Sequence, residues 1–78
     1  MKEFIEYLVK EIVSKPEAVA IEEVEEKGFF TYNIQADKDD MGVLIGKEGR
    51  TIRSIRNMAK AKAIKDDIKI QVILEEND

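Results

Sequence analysis

The chain has 78 residues, 44% of them hydrophobic and 38% charged, the length of one small folded domain and not the composition of a disordered tail. With no Cys and no His, it forms neither disulfides nor thiolate metal sites, and it lacks the commonest metal ligand and the commonest general base. No apolar run approaches the ~20 residues of a membrane span, and an N-terminus carrying Glu3 and Glu6 is not a signal peptide; the expected compartment is therefore the cytoplasm.

The first fourteen residues read as an amphipathic helix. Phe4, Leu8 and Ile12 recur at i, i+4, i+8 with Ile5, Val9 and Val13 beside them, while Lys2, Glu3, Glu6, Lys10 and Glu11 take the other face. Pro16 breaks the helix near Lys15. Val19, Ile21 and Val24 suggest a strand from Ala18 to Glu26, Lys27-Gly28 a tight turn, and the alternation of Phe30, Tyr32, Ile34 and Ala36 with polar residues a second strand. Asp39 or Asp40 is the expected N-cap of a short helix from about Asp40 to Ile45. After Gly46-Lys47-Glu48-Gly49, a longer helix from about Arg50 to Lys65 buries Ile52, Ile55, Ala59 and Ala63. Asp66-Asp67 is a turn, and Ile68, Ile70, Val72 and Leu74 mark a closing strand before an acidic, frayed tail from Glu75 to Asp78. The order helix, strand, strand, helix, helix, strand predicts one α+β domain over 1–78, with helices on one face of a three-stranded mixed sheet whose second and third strands run parallel. Met41, Met58, Phe4 and Phe30 are expected in the core, with Phe29 and Ile73 on the polar sheet face; Met58, Ala61 and Ile64 are also candidates for a subunit contact.

Net charge is −4, which argues against a polyanionic partner, but the charge is unevenly distributed. From Lys47 to Lys65 seven bases face one acid, a local +6, while the remaining residues hold six bases and sixteen acids, or −10. One basic face on an acidic body is the reading. At its start, two glycines bracket Lys47-Glu48 between apolar Ile45 and Ile52. Glycine lets a backbone approach a ligand's backbone, and the loop leads into a helix N-terminus, where free amides and the dipole favour an anion. Lys47, Arg50 and Arg53 add charge there. The P-loop and dinucleotide fingerprints do not fit this spacing. The pairs Asp39-Asp40 and Asp66-Asp67 are explained as caps and turns, so neither metal nor cofactor is expected, and with no His or Cys no nucleophile–base pair can be assembled.

The run Ile45-Gly46-Lys47-Glu48-Gly49-Arg50-Thr51-Ile52 resembles the hallmark of KH domains, whose GxxG loop clamps single-stranded nucleic acid. The element order resembles the type II KH fold, and the whole chain is similar to the small bacterial single-KH proteins of the KhpA (YlqC-like) family. That resemblance implies a non-catalytic protein binding single-stranded RNA, of the RNA-chaperone or post-transcriptional-regulator type, acting as a homodimer or with a larger KH protein of the Jag (KhpB-like) type. It implies that Gly46 and Gly49 admit the RNA backbone, that Lys47 contacts phosphate, that Arg50 and Arg53 line the phosphate side, and that Ile45 and Ile52, with Leu44, hold the two helices and floor an apolar groove. Glu48 opposes this, placing a negative charge in the loop: if its side chain points to solvent the cost is modest, if inward the affinity is weak. The alternative is a KH-fold interaction module that dimerises and binds little RNA.

Overall fold

The computed structural model describes residues 1–75. It contains α1 (Lys2–Lys10), β1 (Ala20–Glu26), β2 (Phe29–Gln35), α2 (Met41–Ile45), α3 (Arg50–Lys65) and β3 (Lys69–Leu74), with 3₁₀ turns at Pro16–Ala18, Lys38–Asp40 and Lys47–Gly49. The acidic tail expected from Glu75 onward lies outside the described residues except for Glu75 itself, whose amide donates to the Ile34 carbonyl at 2.9 Å. No described helix is long and apolar enough to cross a membrane.

The sheet has the order β1-β2-β3. β1 and β2 pair antiparallel, from Ala20 opposite Gln35 to Glu26 opposite Phe29. The connecting Lys27 and Gly28 both have positive φ, 53° and 80°, as a two-residue type I′ turn requires. β2 and β3 pair parallel, from Phe29 beside Lys69 to Ile34 beside Leu74. The alternation read in the sequence sets the faces: Tyr32, Ile34, Ile70 and Val72 are buried with Ile21 against the helices, while Thr31, Asn33, Gln35, Lys69 and Gln71 take the other side. From α1 come Ile5 and Val9, from α2 Met41 and Leu44, and from α3 Ile52, Ile55, Ala59 and Ala63.

Three local expectations are corrected. α1 ends at Lys10, four residues early, because the next segment is held from elsewhere. The Asp40 carboxylate accepts from the Ser14 amide (2.9 Å) and hydroxyl (2.8 Å) and from the Lys15 amide (3.1 Å), a non-local anchor that outcompetes another helical turn. For the same reason Asp40, which stands at the N-cap of α2, caps no amide with its side chain; the side-chain cap falls one turn earlier, where Asp37 takes the Asp39 amide at 2.9 Å at the start of the 3₁₀ turn. Asp40 is the one buried charged residue among those described. Third, Met58 is exposed rather than core, since it stands about a quarter-turn to one side of the buried Ile52–Ile55–Ala59–Ala63 stripe. Phe4 is half-buried at the margin, its ring 5.7 Å from the Lys62 ammonium.

Candidate nucleic-acid interface

The connection from β2 to β3 carries α2, the glycine loop and α3 in succession. α2 has only five residues, too few to be stable alone; the burial of Met41 and Leu44 and the Asp40 anchor fix its place. The chain leaves it at Gly46 with φ 74° and ψ 175°, a conformation that essentially only glycine adopts. A Cβ at Gly46 would overlap the Thr51 side chain and lie 2.8 Å from the Thr51 nitrogen. Gly49 has φ 74° and ψ 16°, the left-handed region, but an added Cβ there would meet only the Arg53 Nη2, at 4.0 Å. The two glycines of the motif therefore do different jobs. Gly46 makes room for the next turn of the protein, and Gly49 leaves open space at the surface.

Glu48 is left-handed as well, at φ 58° and ψ 28°. Its carboxylate turns outward, 73% exposed, and stands 4.0 Å from the Arg50 guanidinium. Its carbonyl accepts from Arg53 Nη2 at 3.3 Å, so Arg53 braces the loop. The outward orientation makes the acid in the loop a modest opponent of an anion. Lys47 is exposed and has no ion pair among the described residues. Gly49 caps α3 without a side-chain hydrogen bond, leaving the first amides of a 16-residue helix without a side-chain acceptor. Ile52 is buried and Ile45 half-buried, holding α2 against α3 beneath the loop.

The seven bases between Lys47 and Lys65 do not share one face. Lys62 turns toward α1, pairing with Asp66 at 3.4 Å and standing over Phe4. Arg53, Arg56 and Lys60, spaced i, i+3, i+7, form a stripe down the flank of α3 that looks at β3. Between that flank and the β3 edge runs a groove of about 380 Å³, lined by Arg56, Lys60, Phe29, Gln71, Val72 and Ile73. A second apolar hollow, shared with Phe29 and Lys60, continues it to Ile64 and Ile68. Arg56 crosses the groove wall: its Nε donates to the Val72 carbonyl at 3.0 Å. The loop residues were legible from the motif. Arg56, Lys60 and the β3 edge were not singled out, although the i, i+3, i+7 spacing of the cations was a signal for the first two.

Two helices joined by a glycine-bracketed loop, inserted between parallel strands of a three-stranded sheet in the order αββααβ, define a KH-type domain. The chain belongs to the KhpA/KhpB KH-domain family, whose sequence model matches residues 2–74. It is similar to the RNA-binding protein KhpA of Chlamydia trachomatis, 44% identical over 77 residues that cover 97% of this chain and 99% of the relative. It is 40% identical to the RNA-binding protein KhpA of Clostridium perfringens over 92% of this chain and 96% of the relative. To that of Thermotoga maritima it is 41% identical over 78% and 81%.

Proposed function

We propose that this chain is a non-catalytic RNA-binding module, which clamps the phosphate backbone of about four nucleotides of single-stranded RNA between the Gly46–Gly49 loop and the start of α3. One observation carries the reading: a bare stretch of backbone at Gly49, the α3 amides without a side-chain cap and the exposed Lys47 meet at one surface point. Lys47 and Arg50 supply exposed charge to phosphate, and Arg53 holds the loop in shape through the Glu48 carbonyl. The bases lie in the groove between α3 and β3, on Ile73 and Phe29. The relatives' shared designation as RNA-binding proteins supports RNA as the ligand.

Assembly belongs to the same reading. Met58, Ala61 and Ile64 form a stripe on the side of α3 opposite the core, with Met58 43% and Ile64 80% exposed. That stripe suits a homodimer or a larger KH partner of the Jag (KhpB-like) type, and pairing of clamps raises a weak single-site affinity through effective concentration. The protein acts in the cytoplasm as an RNA chaperone or post-transcriptional regulator.

The test is fluorescence anisotropy with a random single-stranded RNA pool, comparing the parent with a Lys47→Asp, Glu48→Asp variant. Aspartate tolerates the left-handed conformation at position 48 better than glutamate, so the fold is kept while the loop turns uniformly acidic. The parent is expected to bind and the variant to lose binding. Equal binding by both removes the clamp from this loop, and binding by neither leaves an interaction module.

A further inference from the structure

The hollow beside α3 does not stay on one side of the sheet. Its lining takes Ile70 and Val72 from the inner face of β3 and Gln71 and Ile73 from the outer face, so it straddles the free edge of that strand. Phe29 lines it too, although β2 lies one strand further in. By register Phe29 shares a row with Glu26 and Lys69, on the face turned away from the helices. Its ring therefore reaches the hollow by lying across the outside of β3, and the residue stays 41% exposed. This flat aromatic surface lies at the far end of the groove from the loop: α3 advances about 16 Å from Gly49 to Lys60, and Lys60 lines the hollow together with Phe29.

The outer face carries opposite charges at its two edges. Lys69 stands on β3, exposed and without an ion pair among the described residues. Glu22 and Glu26 stand on β1. The amides of Asn33 and Gln35 are already engaged, donating to Glu22 and Glu75. A polyanion that crosses the β3 edge is thus attracted as far as Phe29 and repelled beyond β2. On that narrow strip a phosphate meets Lys69, the face of a base meets the ring, and the edge of a base meets the Gln71 carboxamide.

Resting on the RNA-binding reading above, we propose that the bound strand runs on past the groove: it turns over the β3 edge, and the base that follows the clamped stretch stacks on Phe29 while Lys69 meets its phosphate. Every base has a π face, so stacking on a ring is open to all of them. The position adds affinity and length to the footprint without adding sequence preference. The glutamates of β1 close the strip beyond β2, which limits the extension to about one or two bases.

The experiment titrates the parent, Phe29→Leu and Lys69→Gln with a uridine tetramer and with the same tetramer extended at its 5′ or its 3′ end. Each extension is two adenosines or two abasic residues. Leucine keeps the apolar floor at the end of the groove and removes the flat ring. For the parent, the adenosine extension at one end is expected to bind about tenfold more tightly than the tetramer. The abasic extension at that end is expected to gain about two- to threefold, through the phosphates alone. Phe29→Leu is expected to lose the gain due to the bases and to hold the tetramer within about twofold of the parent, and Lys69→Gln to lose the abasic gain. A gain due to the bases that survives Phe29→Leu, an equal gain from abasic residues, or no gain at either end overturns the stacking position and leaves the clamp reading standing. An abasic gain that survives Lys69→Gln overturns the assignment of Lys69. Failure of the parent to bind the tetramer and every extended RNA overturns the clamp reading and this inference with it. Size-exclusion chromatography of the RNA-free proteins tests the competing occupant: a dimeric parent that Phe29→Leu turns monomeric gives the outer face to a second copy and overturns the proposal.

Discussion

Gly46 and Gly49 occupy equivalent places in the motif, yet a methyl group on each would do different damage. At Gly46 it would collide with Thr51, side chain and backbone nitrogen together, at a φ and ψ that no L-residue adopts comfortably. Gly46→Ala is expected to lower stability by about 1–3 kcal/mol, read as a shift of the urea midpoint. At Gly49 the space is open and only the left-handed φ is at issue, so Gly49→Ala is expected to cost about 1–2 kcal/mol. Its larger effect is expected on RNA affinity, since in the proposed clamp the methyl would stand where the RNA backbone comes closest. Anisotropy and urea titrations on the same two variants separate the roles: the first loses mainly stability, the second mainly binding. Equal ratios of the two losses contradict the assignment.

Among the elements, α2 depends most on others, and its support converges on Asp40. The carboxylate is held below the usual carboxylate range chiefly by the Ser14 backbone N–H, with the Ser14 hydroxyl, the Lys15 N–H and the Lys15 charge adding to it and burial opposing it. Beside it the Lys15 ammonium pairs with Asp39 at 2.9 Å and Asp37 at 3.6 Å, which hold it above the ordinary lysine range. The folded state thus favours the ionised form of Asp40, so its contribution is fully present above the unfolded value near ~3.9 and is lost as pH falls through the lower folded value. Asp40→Asn is expected to be less stable than the parent at neutral pH, with the gap closing as the pH drops below ~3.9; thermal melts across a pH series show whether the two curves converge. This anchor also marks the limit of what the residue pattern reveals. Apolar periodicity placed α3 and the faces of β2 and β3 correctly, because those positions are decided by burial alone. It overran α1, because the chain's exit at Ser14 is decided by a carboxylate 26 residues away, and it left the groove unassigned, because only the sheet order makes Val72 an edge residue. The loop itself was legible down to the residue, since its glycines and cations are local.

At the scale of the molecule, 34 × 21 × 19 Å across its principal axes, the decisive property is separation of charge. Lys47, Arg50, Arg53, Arg56 and Lys60 lie on the loop and one flank of α3, while β1 carries Glu22, Glu23, Glu25 and Glu26 at the far edge of the sheet. If the proposed clamp meets about three phosphates through Lys47, Arg50 and the helix start, a plot of log affinity against log salt is expected to have a slope near −2, and Lys47→Ala to flatten it by about 0.7. An unchanged slope in that variant means that Lys47 releases no counterion from the bound strand.

The glutamate-lined edge strand has a consequence once a ligand is in place. An RNA held against α3 is covered by protein on one side, and the outermost surface of that protein is negative, the same sign as the RNA. A second strand approaching the complex meets repulsion instead of another basic surface, so one copy cannot gather two RNAs into a cross-linked mass. On the clamp reading proposed above, the chain would coat single strands and keep them individually dispersed, and bringing strands together would fall to assemblies of several copies.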